Sequence, residues 1–422
     1  MELVNSYYEH TTDRQADWEP VIGNSRARLV IIGGGYAGLA TALGLAERGY
    51  RDIVLLEARS IGFGASGRNG GFVFAGYARS EEKLVSELPR DRGRRMYART
   101  VAAVNLIRER IERYAIDCDC VDGGVLWANW FRSDAVLKTK ARFLQEHLGV
   151  EWKLLDRADL RAFVNSERYS GGLFEANALH LHPLKFALGL ARAASAQGVK
   201  IHEGANVRRV SGKRGQFDVH LREGVIRADE VIVAGGAYQN AAVPAAQRAV
   251  LPIATYVMAT EPLGAEINAL IPGQAAIYDT RFAFDYFRKL KDERLLWGGR
   301  VSVGELDASK VARRLRADML KVFPSLQDAK IDFAWSGLMS YARHQMVQIS
   351  QAQPGLWVLQ GFGGHGISAS TAMGEVLASA LAINDLSWTE YNRYPLSYAG
   401  GKIGLAAAQM SYWWQQARDA WR

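Results

Sequence analysis

The chain has 422 residues, 49% hydrophobic and 23% charged, with a formal net charge of +8. That is an ordinary balance for a soluble globular protein with a large core and room for more than one domain. No run approaches the roughly 18 uninterrupted apolar residues of a membrane span, and the scattered Lys and Arg, with no recognition motif beside them, argue against nucleic acid. A basic interior that receives anionic ligands is the alternative account of the charge. The N-terminus lacks the basic start and apolar core of a secretory signal. The two cysteines, Cys118 and Cys120, form neither a disulfide framework nor a C-x-x-C zinc spacing, so no metal is expected. A reducing cytoplasm fits.

Residues 1–25 read as an N-terminal arm anchored by Trp18. The apolar run Leu29, Val30, Ile31, Ile32 predicts a strand buried on both faces. Gly33, Gly35 and Gly38 follow as G-x-G-x-x-G, then comes a helical stretch to Gly49 and a second apolar run ending at Glu57. Each piece has a role in a dinucleotide-binding unit. Gly33 permits the tight turn, Gly35 lets the backbone approach a pyrophosphate, and Gly38 lets helix and strand pack closely. The helix start attracts phosphate, and an acid about 20 residues on accepts from a ribose. By itself the fingerprint does not separate NAD from FAD.

Residues 58–72 hold five glycines among Ser, Arg and Asn. That composition predicts a loop of exposed amides able to lie against a flat polar ligand. Residues 81–113 read as helix, 123–128 as strand, and 134–149 and 156–165 as helix. A helix from Pro183 to about Gln197 and strands over 199–210, 216–221 and 225–232 return the chain to the nucleotide unit. Strands over 250–260, 282–289 and 294–301 and a helix near 308–323 form a second insert. A strand over 355–359, the loop Gln360-Gly361-Phe362-Gly363-Gly364-His365-Gly366 and a helix over 367–383 again aim helix amides at a bound group. The expected division is a discontinuous cofactor domain (26–85, 178–245, 339–390), a substrate domain (86–177, 246–338) and a C-terminal tail (391–422).

The run from Ile31 to Gly38, then Gly64-Ala-Ser-Gly-Arg-Asn-Gly-Gly71, Ala234-Gly235-Gly236 and Gly361-Phe-Gly-Gly-His-Gly366 occur in this order. The chain thereby resembles the FAD-dependent amine and amino-acid oxidases, the group of D-amino-acid oxidase and sarcosine oxidase. Within it the likeness narrows to the branch acting on γ-glutamylputrescine, through Ser6-Tyr7-Tyr8, 110–118, 180–184, Asp285-Tyr286, 295–299 and 399–401. The resemblance implies an α/β fold. A Rossmann-like FAD-binding domain of the glutathione-reductase type is interrupted by a substrate domain of mixed β-sheet plus helices. It assigns the ADP half of FAD to Gly33, Gly35, Gly38, Glu57 and Arg59, with Val207 near adenine through its backbone. It puts Ala65, Ser66, Asn69, Gly70 and Gly71 on the flavin side, Gly235 in the loop beside the ligand, and Gly364, His365, Gly366 and Ile367 beside the flavin ring.

Two departures bear on the substrate. The Arg that grips an α-carboxylate in relatives, just after W-[ST]-G, is absent, because Trp335-Ser336-Gly337-Leu338 is followed by Met339. No cysteine lies in the region used for covalent flavin attachment, so non-covalent FAD is expected. The resemblance implies oxidation of the C–N bond of an amine such as γ-glutamylputrescine, by hydride transfer to flavin N5, giving aldehyde, ammonia and H2O2. His365, Tyr286 and Trp335 are the candidates at the reacting centre, each against the alternative of a structural role. Phe74 and Tyr77 are the candidates for shaping the entrance, and Tyr341, Arg343 and His344 for gripping a distal polar or carboxylate end, against the alternative of a surface loop. His180 and His182 are read as a helix entry rather than a metal pair. Two alternatives stand beside this reading. One is a flavin oxidase or dehydrogenase of a secondary or cyclic amino acid, and the other is a non-catalytic FAD-binding protein, suggested only by the unusual Arg343-His344-Gln345-Met346-Val347 turn.

Overall fold

The computed structural model describes residues 5–14, 18, 21 and 23–421. Two eight-stranded sheets organise them. The first has a parallel centre in the order Leu356–Gln360, Val225–Val233, Ser25–Ile32, Ile53–Leu56, Lys200–His202. Its registers bring Val30 against Val54 on one side and Val231 on the other. These near-continuous apolar runs suit strands with both faces covered. Antiparallel strands extend its edge, with Gln348–Gln353 on Leu356–Gln360 and the hairpin Arg209–Lys213/Gln216–His220 on Val225–Val233.

The helix Tyr36–Glu47 packs between Pro183–Ala196 and Gly366–Ile383. Small residues set the closeness of the second contact: a Cβ on Gly374 would lie 2.8 Å from Ala40 Cβ. Gly366–Ile383 is long and apolar enough to cross a membrane, yet 61% of it is buried inside the protein. Its apolar residues are accounted for by the core.

The second sheet runs Ile331–Tyr341, Leu251–Thr260, Leu295–Ser302, Tyr286–Lys289, Ala276–Asp279, Val125–Ala128, Gly172–Glu175, Lys153–Leu155. One face forms a separate core beneath the helix Ala308–Val322, with Phe287 stacked 4.7 Å from Trp297 and Phe323 edge-on. The other face turns to the cavity described below. Along Leu251–Thr260 the period of two is plain: Ile253 and Thr255 face the cavity, Ala254 and Tyr256 the core. A bulge opposite Thr255 leaves Arg300 unpaired at φ 52°, the position such an irregularity uses to re-aim a side chain.

Several expected elements differ in extent. Residues 81–113 form two helices, Glu81–Glu87 and Arg90–Arg113, because Pro89 cannot continue the first. The expected helix over 156–165 is only Arg157–Leu160, capped by Asp156. The expected strand over 199–210 stops at His202, with Gly204 at φ 64° before the chain re-enters the sheet at Arg209. Residues 282–285 are loop, and only Tyr286–Lys289 is strand. The boundary expected at 338/339 falls inside the continuous strand Ile331–Tyr341. The tail holds a 20-residue helix, Gly401–Ala420, which returns to the second sheet. There Tyr412 Oη accepts from Val301 N at 2.9 Å and Gln409 Oε1 from Val303 N at 3.1 Å. In the arm, Tyr7 and Tyr8 are buried, with Tyr8 edge-on to Trp335 at 5.3 Å. Trp18 packs on the main core, as expected.

Candidate active site

One cavity of about 1750 Å³ joins the two sheets, from the Gly33 turn to the C-terminal helix. Small-molecule pockets span roughly 300–1,000 Å³, so this one has room for a dinucleotide and a further ligand.

Its first end is the fingerprint. Gly33 leaves the strand at φ 119°, and a Cβ there would lie 2.7 Å from the Ala234 carbonyl oxygen. A Cβ on Gly38 would lie 2.0 Å from the Gly33 carbonyl oxygen. The helix thus starts against the turn with no side chain between, and Gly35 at its N-cap supplies no capping side chain. Glu57 accepts from Gly34 N at 2.7 Å and Arg59 N at 2.9 Å. Burial raises its pKa against the pull of those two amides.

The glycine-rich loop is pinned rather than loose. Asn69 donates to the Ala65 and Ser66 carbonyls and accepts from Gly71 N. Ser66 Oγ accepts from Tyr36 N at 3.0 Å. Arg68 stacks on Phe63 (4.4 Å) and donates from Nε to the Phe63 carbonyl, while its buried Nη2 has no partner among the described residues. An orphaned guanidinium N–H on the same cavity wall as a helix start fits a phosphate-bearing ligand.

At the far end, Gly366–Ile383 begins behind His365 with no side-chain cap, and a Cβ on Gly366 would meet nothing within 4 Å. The His365 ring is edge-on to Phe74 at 5.0 Å, its Nδ1 is without a partner among the described residues, and burial lowers its pKa. Tyr286 lies across two glycines, for a Cβ on Gly70 or Gly298 would fall 2.5 or 2.1 Å from its ring. Burial pushes the Tyr286 and Tyr341 phenols up, so both stay neutral donors.

The cavity wall therefore brings together Gly33, Gly35, Glu57, Ala65 and Ser66 with Asn69, Gly70 and Gly235. It also includes Gly364, His365, Gly366 and Ile367, and among the entrance candidates Phe74, Tyr77, Tyr341 and Arg343. Gly38 acts from behind, through packing. Five expected residues stand elsewhere. Trp335 donates its indole N–H to the Arg68 carbonyl at 2.9 Å and is 3% exposed, so it braces the loop from outside the cavity. His344 spends its ring on the Pro395 carbonyl and the Met346 amide. Val207 is buried, its carbonyl taken by Asn240 Nδ2 at 2.7 Å. Arg59 stacks on Phe63 at 4.6 Å. Gly71 (φ 81°) sits against Leu181, whose carbonyl a Cβ would meet at 2.1 Å. His182 caps its helix by accepting from Lys185 N, and His180 Nε2 bonds the Gln274 carbonyl oxygen.

Sequence reading missed other parts of the wall. Arg281 bonds both Asp279 and Asp285, and Arg300 bonds Asp318 at 2.6 and 3.0 Å. Such scattered charges have no signature in one sequence. Nearby, Glu175 ends its strand 5% exposed, with Oε2 lacking a partner among the described residues, and burial raises its pKa to about 8. A carboxyl held neutral by the fold loses stability as pH rises from its unfolded value of about 4.3 to about 8. Glu175→Gln, which cannot titrate, is therefore expected to match the wild type in thermal melts at pH below about 4.3 and to exceed it above pH 8.

A parallel sheet, a glycine cradle, an acid at the end of the second strand and two helix starts opening on one cavity have the make-up of a dinucleotide-dependent oxidoreductase. The chain belongs to the DAO family of FAD dependent oxidoreductases, whose family model matches residues 28–380. It is 34% identical over 382 residues to the gamma-glutamylputrescine oxidoreductase of Escherichia coli strain K12, covering 90% of this chain and 89% of that protein. It is 30% identical over 429 residues to the probable oxidoreductase OrdL of Haemophilus influenzae, covering 100% of this chain and 98% of that one. In fold it is similar to glycine oxidase from Geobacillus kaustophilus, with a TM-score of 0.72 at 19% identity, covering 90% and 98% of the two chains. L-proline dehydrogenase from P. horikoshii gives a TM-score of 0.73 at 19% identity over 90% and 98%. The cofactor is FAD. Neither cysteine lines the cavity.

Proposed function

We propose that this protein is an oxidase of the C–N bond of a γ-glutamylated polyamine, of which γ-glutamylputrescine is the type. The observation that carries the substrate class is the 34% identity to the Escherichia coli enzyme over 90% of the chain. Met339 supports it, since it lines the cavity where an α-carboxylate grip would need a cation. Bound FAD supplies the two-electron acceptor. The amides at the start of Gly366–Ile383 favour negative charge on whatever ring lies before them. Burial lowers the pKa of His365, which works against a proton on its ring. A free alkylamine has a pKa of about 10.4, and an aromatic wall of Phe74, Tyr286 and Tyr341 favours its neutral, reactive form. Dioxygen is the final acceptor, water hydrolyses the imine that oxidation leaves, and aldehyde, ammonia and H2O2 are the products. Free thiols at Cys118 and Cys120 agree with a cytoplasmic setting.

The test is oxygen uptake with peroxide release. γ-Glutamylputrescine is expected to exceed putrescine, sarcosine, glycine and L-pipecolate in kcat/KM by about a hundredfold or more, as for a site that pairs buried polar groups with its own substrate. Turnover with an artificial dye but none with O2 would indicate a dehydrogenase.

A further inference from the structure

Beside His365 the cavity continues into a side lobe between the first turn of Glu81–Glu87 and the helix Ala135–Phe143. Val136, Thr139 and Lys140 line it with helical spacing, and Trp127, Trp152 and Tyr278 form its floor. Lys140 is 13% exposed and donates to Glu81 Oε2 at 2.5 Å and Glu82 Oε1 at 2.8 Å. One ammonium N–H and further carboxylate lone pairs remain. Trp152 is 7% exposed, and its Nε1–H has no partner among the described residues. A buried donor left open on a cavity wall points to a ligand acceptor.

The lobe adjoins the reacting end. Glu81 Oε1 and His365 Cδ2 lie 3.2 and 3.8 Å from the same point, where a Cβ on Gly76 would be. An aromatic path leads along it, from His365 to Phe74 (5.0 Å), Tyr278 (5.5 Å, stacked) and Trp127 (6.5 Å). Donors and carboxylates thus meet at the end of an apolar corridor. A plain diamine would use only the carboxylates and leave Trp152 unpaired. A group carrying carboxylate and ammonium on one carbon uses both.

Resting on the substrate class proposed above, we propose that this lobe binds the α-amino-acid head of the substrate. The carboxylate takes Trp152 Nε1–H and the free Lys140 N–H, the ammonium takes Glu81 and Glu82, and the linker lies along Phe74 and Tyr278.

The test is calorimetric titration of the FAD-loaded enzyme with γ-glutamyl-n-butylamide, which has the head but no terminal amine. n-Butylamine, which lacks the head, is expected to bind the wild type at least about tenfold more weakly. Trp152→Phe keeps an aromatic side chain, smaller than indole, and removes the donor, and should weaken the amide about tenfold. Lys140→Gln should weaken it more. Glu82→Gln, at the most exposed of the charged groups, should weaken it about threefold without touching the core. Flavin content and melting of each variant report folding, and if Lys140→Gln does not hold FAD the other two decide. Unchanged Kd in Trp152→Phe and Glu82→Gln, with tight binding by the wild type, overturns the lobe and leaves the substrate class standing. A wild type that ignores every γ-glutamyl compound but oxidises another amine overturns the substrate class and the lobe with it.

Discussion

Gly38→Ala is expected to purify with little bound FAD and almost no visible flavin absorbance. The new methyl would lie 2.0 Å from the Gly33 carbonyl oxygen. Gly33 cannot retreat, being fixed at φ 119° with the Ala234 carbonyl 2.7 Å from its own missing Cβ. The helix start must move instead, and its amides leave the phosphate site. Overpacking of this kind costs about 1–3 kcal/mol, and at 1.4 kcal/mol per tenfold the upper end is roughly a hundredfold in FAD affinity. Titration of FAD into the apoprotein measures it. Full occupancy in Gly38→Ala would mean that the cradle does not hold the pyrophosphate.

Arg110→Met is expected to destabilise the fold strongly from outside the site. Arg110 is 1% exposed and ties three helices together. It donates to Glu47 Oε2 at 2.6 Å in Tyr36–Glu47 and to Glu375 Oε1 at 2.5 Å in Gly366–Ile383. Removing it leaves two carboxylates short of their counter-charge, which costs about 3–5 kcal/mol in buried pairs. The lower end applies, because Tyr114 still reaches Glu47 and Arg48 still reaches Glu375. The pH dependence follows from Glu47. Burial raises its pKa, but the Arg110 bond and charge, together with the Tyr114 bond and the Arg113 charge, outweigh it and leave the folded value lowered. The stabilisation is therefore complete above the unfolded carboxylate pKa of about 4.3 and is lost as pH falls through the lowered folded value. Urea melts should show a large gap between the two proteins at pH 7 that narrows in acid. An equal gap at both pH values would show that packing, not charge, is what Arg110 contributes.

The cofactor end was legible in the sequence because its constraints are local. Gly33, Gly35 and Gly38 are demanded by backbone approach, and Glu57 follows at a fixed spacing just past the next strand. The substrate end is assembled from distant residues. Lys140 meets Glu81 across 59 positions, and no pattern in one sequence announces the pair. Trp335 shares a strand face with Gly337, Met339 and Tyr341, so its parity was readable. It lies farther along the strand, beneath Arg68, where sequence alone does not reach. The Val207 carbonyl accepts from Asn240, 33 positions on, a pairing that no pattern in the sequence announces. The C-terminal helix starts at Gly400 and Gly401 with φ of 99° and 53° and no side-chain cap. Its composition reads as a tail, and tertiary contacts from Gln409 and Tyr412 hold it in place.

The central claim is that this cavity oxidises an amine that carries an amino-acid head. Anaerobic mixing of the FAD-loaded protein with one equivalent of γ-glutamylputrescine tests it most directly. The account predicts full bleaching of the flavin, colour restored by air with release of one H2O2, and no comparable bleaching by glycine, sarcosine or L-pipecolate. Flavin that stays oxidised with γ-glutamylputrescine but bleaches with an α-amino acid would contradict it.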